Sequence, residues 1–249
     1  MNAIVHYNGN EYTIQLNHPL DISLSLSPET GHVLAWYLPP LTIEPVRMGD
    51  WVGEVKQGAA VNFRNIFFNP HGHGTHTETV GHITAGDVSE NKHFREFFCF
   101  ATLITVTPQQ QGEDLVISLE SLQSLLPQVT EAVILRTLPN GTDKCRKNYS
   151  NTNPPYLEAS AAEWLRDRGV RHLLIDLPSV DKEQDGGALA AHHAFWNYPQ
   201  HPRYEATITE LVYVPDEIKD GVYFMNLQTA PFENDASPSR PLLFHLINK

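Results

Sequence analysis

The chain has 249 residues, with 17 Lys and Arg against 29 Asp and Glu, for a formal net charge of −12 at pH 7. No basic run offsets that excess, which argues against nucleic acid and anionic membrane as partners and leaves a small molecule or a protein partner. The length suits one large α/β domain over residues 1–249. With no charged and apolar leader and no apolar run of about 18 residues, the chain reads as soluble and cytoplasmic. Two cysteines, Cys99 and Cys145, are too few for a disulfide framework and read as ordinary thiols of a reducing compartment.

Residues 3–6 and 12–16 flank Asn8-Gly9, and Asn-Gly between two apolar alternations predicts an opening β-hairpin. Leu20-Asp21-Ile22-Ser23 reads as a strand ending in an Asx turn. Trp36 and Tyr37 precede Pro39-Pro40 and are candidates for core, lid or ligand contact. Residues 60–68 predict an extended, partly buried strand that delivers the next segment to the interior. That segment, residues 69–82, packs His71, His73, His76, His82 and Glu78 into a stretch broken by Gly72, Gly74 and Gly81. Neutral imidazole is the commonest protein metal ligand, and a carboxylate adds the hard oxygen and negative charge that suit Zn²⁺ or Mn²⁺. The glycines allow sharp turns, so side chains close in sequence can converge on one point.

Residues 97–106 predict a strand that returns through the core. Ser118 caps a short helix through Leu125, which Pro127 stops. Residues 131–138 follow as a buried strand, and residues 139–155 as a long loop, a candidate lid or subunit contact. Ser160-Ala161-Ala162-Glu163 has the capping-box form, predicting a helix to Arg168 that Gly169 ends. With a strand at 171–177, this order implies a right-handed parallel crossover whose functional groups lie beyond the carboxyl ends of the strands. Asp176-Leu177-Pro178-Ser179-Val180-Asp181 sits at such an end. Residues 188–196 predict a helix with His192 one turn behind Trp196 and His193 about 100° away. In the strand at 208–214, a buried Glu210 must be paired, protonated or metal-bound, unless it faces solvent. A helical turn at 216–219 and strands at 221–229 and 242–247 close the sheet, with residues 232–241 as the tip of the last hairpin.

Several of these stretches resemble the cyclase-like metal-dependent hydrolases, the family of bacterial kynurenine formamidase and isatin hydrolase. Gly74-Thr75-His76-x-Glu78-x-x-x-His82 is similar to that family's H-x-G-T-H-x-D-x-P-x-H, with Glu78 for the Asp, Val80 for the Pro and Gly72 where the first His stands. His71 or His73 must then take the first place, and His71 is preferred. Leu20 to Ser23 is similar to an Asp-Leu-Ser near the family's start, and Asp176 to Asp181 to its Asp-x-Pro-Ser-x-Asp. His192-His193-Ala194-Phe195 looks like its metal-binding His followed by two residues and a large apolar one, with His193 the lesser candidate. Glu210-Leu211 looks like the strand supplying its last metal carboxylate, with residues 197–202 as an insertion before it. The resemblance implies a swivelling β/β/α arrangement, a single α/β domain with a mixed sheet rolled round a central helix, assembled as a homodimer.

It also implies the chemistry. His71, His76, Glu78, His192 and Glu210 together would hold one divalent ion, Zn or Mn, or two ions bridged by a carboxylate. An open coordination position lowers the pKa of water to about 7. His82 is the expected general acid/base. Thr75 and the glycine amides either fix the loop or donate to an oxyanion. The expected activity is hydrolysis of a small non-peptide amide, an aryl formamide such as N-formylkynurenine first and a cyclic amide second. Trp36, Phe67, Phe195 or Trp196 would wall the substrate. A non-catalytic small-molecule binding protein with a degenerate metal site is the alternative.

Overall fold

The computed structural model describes residues 1–29 and 31–248. The opening hairpin forms as its turn dictates. Strands β1 (Asn2–Tyr7) and β2 (Asn10–Gln15) pair antiparallel, and Asn8 and Gly9 take φ of 49° and 76°, the left-handed region that these two residues tolerate.

The frame of the molecule is a curled nine-stranded mixed sheet. Its strands are β3 (Leu20–Asp21), β6 (His76–Glu78), β7 (Phe98–Val106), β8 (Ala132–Thr137), β9 (His172–Ile175), β10 (Thr207–Glu210), β11 (Gly221–Asn226), β12 (Ala236–Pro238) and β13 (Leu242–His245). They lie in the order β12-β6-β10-β9-β8-β7-β11-β13-β3. The four central strands, β7 to β10, are mutually parallel, and the strands outside them add antiparallel. β8 and β9 are buried along their whole length and mostly apolar because both faces of the sheet are covered there. Val133, Leu135, Leu173, Ile175 and Ile208 face three helices, α2 (Leu119–Leu125), α3 (Ala159–Asp167) and α4 (Ala190–Trp196). Leu103, Ile134 and Leu174 face Ile22, Phe94, Val212 and Leu243. This is the mixed α/β arrangement expected from the resemblance. No helix of the described residues is long and apolar enough to cross a membrane.

Three local expectations are corrected. The strand expected over 60–68 is not an interior strand. It shortens to β5 (Arg64–Phe67), pairs with β4 (Thr42–Pro45), and projects as a two-stranded ribbon with Val61, Phe63, Ile66 and Phe67 more than half exposed. Paired only with β4 and outside the nine-stranded sheet, the strand adds none of its apolar side chains to the chain's described core clusters. The capping box is not formed either. α3 starts one residue before Ser160, with Glu158 at the N-cap making no side-chain bond to the helix. The Glu158 carboxylate instead accepts the Leu119 N–H, tying the starts of two helices together. The helical turn expected over 216–219 shortens to a turn at residues 216 and 217, closed by the Ile218 N–H to the Pro215 carbonyl at 3.1 Å.

One buried group outside the site gives a pH-dependent prediction. Glu90 is fully buried; one oxygen accepts the Thr229 hydroxyl at 2.7 Å and the other has no hydrogen-bond partner. Burial pushes its pKa from 4.5 up to about 7. The folded chain therefore binds this proton more tightly than the unfolded one. Stability is greatest below the unfolded value and falls as pH rises through about 7. Glu90→Gln is expected to melt at a higher temperature than the parent at pH 8, with the gap shrinking at pH 5. A gap independent of pH would contradict the assignment.

Candidate metal centre

The histidine segment converges because two backbone features turn it. Helix α1 (Pro70–His73) is a single turn capped by Asn69, whose side chain accepts the His71 N–H at 2.9 Å, with Pro70 in the first position. Gly72, which occupies the place of the family's first His, has no room for a side chain. A Cβ there would collide with the Leu38 side chain and lie 3.0 Å from the Ala35 carbonyl oxygen. The turn presents His71 to the cluster and sends His73 away. His73 Nε2 donates to the Pro39 carbonyl at 2.8 Å, while its Nδ1 accepts the Asn69 N–H at 2.8 Å. Thr75 is likewise structural: its hydroxyl donates to the Leu211 carbonyl and accepts the Leu24 N–H.

Strand register places the next three groups. In the antiparallel pair β6·β10, His76 stands opposite Glu210 and Glu78 opposite Ile208, so all three polar side chains share the face that carries the helices. His192 arrives on that face from α4, with Trp196 one turn on at 5.3 Å between ring centres. All six residues singled out in the sequence lie in one cluster. His71 Nδ1 is 3.1 Å from Glu78 Oε2, and His192 Nε2 is 3.0 Å from Glu78 Oε1. His76 Nε2 is 3.4 Å from Glu210 Oε2, and His82 Nδ1 is 3.8 Å from Glu78 Oε2. Potential ligand atoms of His71, His76 and Glu78, and of Glu78, His82 and His192, lie within 4.8 Å of one another.

The residues present fit a divalent cation, and one contact carries that judgement. His76 is fully buried, and its Nδ1 is taken by the Gly74 carbonyl at 3.0 Å, which requires a proton there. In the neutral ring Nε2 is then a lone pair. It faces a carboxylate oxygen of Glu210 and has no hydrogen-bond partner. Two lone pairs 3.4 Å apart repel, and a cation between them removes the conflict. Glu78 Oε2 is a second buried atom without a hydrogen bond, since His71 Nδ1, although near, is out of line for one.

Two carboxylates outside the sequence-derived set complete the arrangement. Asp181 accepts His192 Nδ1 at 2.6 Å and the N–H groups of Ala191 and His192, so it orients the ring and closes the start of α4. Asp235 accepts from His71 Nε2 at 3.0 Å and His82 Nδ1 at 3.3 Å. Carboxylate-supported imidazoles are the usual setting of metal-binding histidines. The negative field is strong. Burial disfavours charge on His71, but the hydrogen bond to Asp235 and the adjacent Glu78 and Asp235 charges outweigh it and raise its pKa to about 10. His192 rises to about 10 against the same burial penalty, through Asp181 and Glu78. Burial opposes charge on Glu78 too, yet the His82 charge, the hydrogen bond from His192 and the nearby His71 ring hold it well below the ordinary range. Such a field attracts any cation, whether protons on the rings or a divalent ion that displaces them.

Beside the cluster lies a cavity of about 360 Å³ lined by Trp36, Leu38, Asn69, His71, His82, Ser179, Leu189, His192 and Glu210. Its apolar walls, Trp36 and Leu189, both sit at positive φ, 61° and 46°. Non-glycine residues reach that region at a cost of about 1–3 kcal/mol, so the surroundings must hold them. Tyr37 N–H donates to Ser150 Oγ and Tyr37 OH to Glu183, which also accepts the N–H groups of Asn151, Thr152 and Asn153. Leu189 N–H donates to Asp185. The long loop over 139–155 therefore buttresses the pocket wall. The other aromatic candidates do not line the cavity. Phe195 and Trp196 are fully buried in the core, and Phe67 is on the projecting ribbon.

A kynurenine formamidase from Bacillus cytotoxicus is 29% identical over 190 residues, 76% of this chain and 82% of that one. One from Bacillus anthracis is 34% identical over 114 residues, 45% of this chain and 49% of that one. Isatin hydrolase A from Labrenzia aggregata shares the fold with a TM-score of 0.65 at 16% identity, over 93% of this chain and 94% of that one. A predicted metal-dependent hydrolase from Bacillus stearothermophilus does so with a TM-score of 0.62 at 18% identity, over 91% and 98%. The sequence profile described as putative cyclase matches residues 14–182, and the chain belongs to that family.

Proposed function

We propose that this protein is a metal-dependent hydrolase of a small non-peptide amide, with an aryl formamide of the N-formylkynurenine type as the first substrate. The observation that carries the reading is the buried, partnerless His76 Nε2 set against Glu210. His71, His76, Glu78, His192 and Glu210 would hold the ion, Zn or Mn, singly or as a pair. When bound, it polarises a carbonyl oxygen and lowers the pKa of water, so that hydroxide is available near neutral pH. Trp36, Leu38 and Leu189 take the flat apolar part of the substrate and exclude water from the cavity. His82, on the cavity wall, removes the proton of the attacking water and returns it to the leaving nitrogen. The kynurenine formamidase relatives support the formamide, and the isatin hydrolase fold relatives support a cyclic amide as the second choice.

The alternative, a binding protein with a degenerate site, rests on the missing first ligand and on Glu78 in place of Asp. The position of His71 beside Glu78 weakens the first of these grounds. The test is release of formate from N-formylkynurenine and formanilide by the Zn- or Mn-loaded protein. Metal retention without turnover of any formamide or lactam would favour the binding protein.

The homodimer and the cytoplasmic location remain part of this proposal. A homodimer would cover the ribbon that leaves Phe63, Ile66 and Phe67 in solvent. Light scattering is expected to give twice the chain mass, and Phe63→Asp with Ile66→Asp to give the monomer. A monomeric parent protein would sink the homodimer.

A further inference from the structure

Asp235 lies in the tip of the last hairpin, outside every motif described above, yet its main chain is fixed to the metal segment. Its carbonyl accepts the Thr79 N–H at 3.1 Å, and the next residue, Ala236, pairs with Glu78 across β6·β12. Close approach is possible because residue 81 is glycine. A Cβ there would lie 3.2 Å from Asp235 Cβ and collide with the Val88 carbonyl oxygen. The same carboxylate oxygen, Oδ2, reaches His71 Nε2 at 3.0 Å and His82 Nδ1 at 3.3 Å, and these two rings lie 4.4 Å apart.

The two contacts have different consequences. With Nε2 of His71 held by Asp235, Nδ1 is the nitrogen presented towards Glu78 and the cluster. With Nδ1 of His82 held there, Nε2 is the nitrogen left to exchange protons. His82 lines both the apolar cavity and a polar cavity of about 520 Å³ that Asp235 also lines, with Ser89, Lys92 and Asn234. Asp235 thus grips the ring from the polar side and leaves the apolar side to the substrate. We infer that Asp235 is a positioning residue with two effects, supporting His71 as a metal ligand and fixing the tautomer and orientation of His82. The second effect rests on the function proposed above; the first does not.

The test compares Asp235→Ala and Asp235→Asn in the full chain, with thermal melts as the folding control. Zn affinity, measured by competition with a chelating dye and no substrate, is expected to weaken about 10-fold in Asp235→Ala, at an unchanged metal-to-protein ratio. At saturating metal, kcat on formanilide is expected to fall about 10- to 100-fold with KM within about threefold. Asp235→Asn keeps one acceptor oxygen and is expected to recover part of both losses. A lowered metal-to-protein ratio would make Asp235 a ligand and overturn the assignment. Zn affinity within about twofold of the parent overturns the His71 effect, and unchanged kcat at saturating metal overturns the His82 effect. A parent protein that binds Zn but hydrolyses no amide defeats the proposed function, while the affinity arm still decides for or against the His71 effect.

Discussion

Glu210→Gln and His76→Ala are each expected to strip the divalent ion from the protein and to lower kcat on an aryl formamide by about 10³-fold or more, as several kcal/mol of charge stabilisation are lost. The glutamine variant isolates charge from shape. Glu210 Oε1 accepts the Val180 N–H at 2.9 Å, a bond that the glutamine carbonyl oxygen can keep, while the negative charge facing His76 Nε2 disappears. The alanine variant instead removes the ring whose Nε2 has no other partner. The two residues are 134 positions apart in sequence but paired across β6·β10, so joint loss of metal would show that one site draws on both strands. Metal content by plasma emission spectrometry is one readout, and melting temperature with and without EDTA is the other. An ion bound only by the folded chain stabilises it, so chelation should lower the melting temperature of the parent and leave both variants unmoved. A parent protein that takes up neither Zn nor Mn, and melts identically in EDTA, would remove the basis for a hydrolase.

How far the sequence discloses this depends on whether the deciding interaction is local. The opening hairpin is legible because Asn8-Gly9 sets its own turn, and the Ser118 helix because Ser118 caps it by accepting the Ser121 N–H three residues on. The group at 71–82 and Glu210 draw notice as residue types out of keeping with their surroundings, a cluster of imidazoles and a carboxylate in an apolar strand. His71 over His73 is less legible. It turns on Leu38 and Ala35 packing against Gly72, more than thirty residues away. The capping box misleads because the bond from Glu158 to Leu119 outcompetes the local pattern at Ser160. The ribbon misleads because apolar content states that a residue is to be covered, not by which molecule. Asp235 carries no sequence signal beyond being one of two acids, with Glu233, in a loop, since its partners stand 153 and 164 residues upstream.

His82→Ala separates chemistry from metal binding, and it is expected to lower kcat by about 10²- to 10⁴-fold while the ion stays bound. The ring occupies an intermediate place in the cluster. It stands 3.8 Å from Glu78 Oε2, with Glu78 and His192 it forms a group close enough to hold a metal, and it also lines the apolar cavity where a substrate would lie. A ligand and a proton carrier would both be placed there, and the distances alone do not separate them. Exposure favours the second role: the His82 side chain is 29% exposed, against 19% for His71, 2% for His192 and none for His76. A ring that exchanges protons with a substrate and with solvent needs that access, and a ligand does not. Nor does His82 support the core, so its truncation should leave the melting temperature of the metal-loaded protein close to the parent's. Full metal content with kcat reduced and KM little changed would assign the proton transfer to His82. Loss of metal in this variant would move His82 into the ligand set and leave the leaving nitrogen without its proton donor.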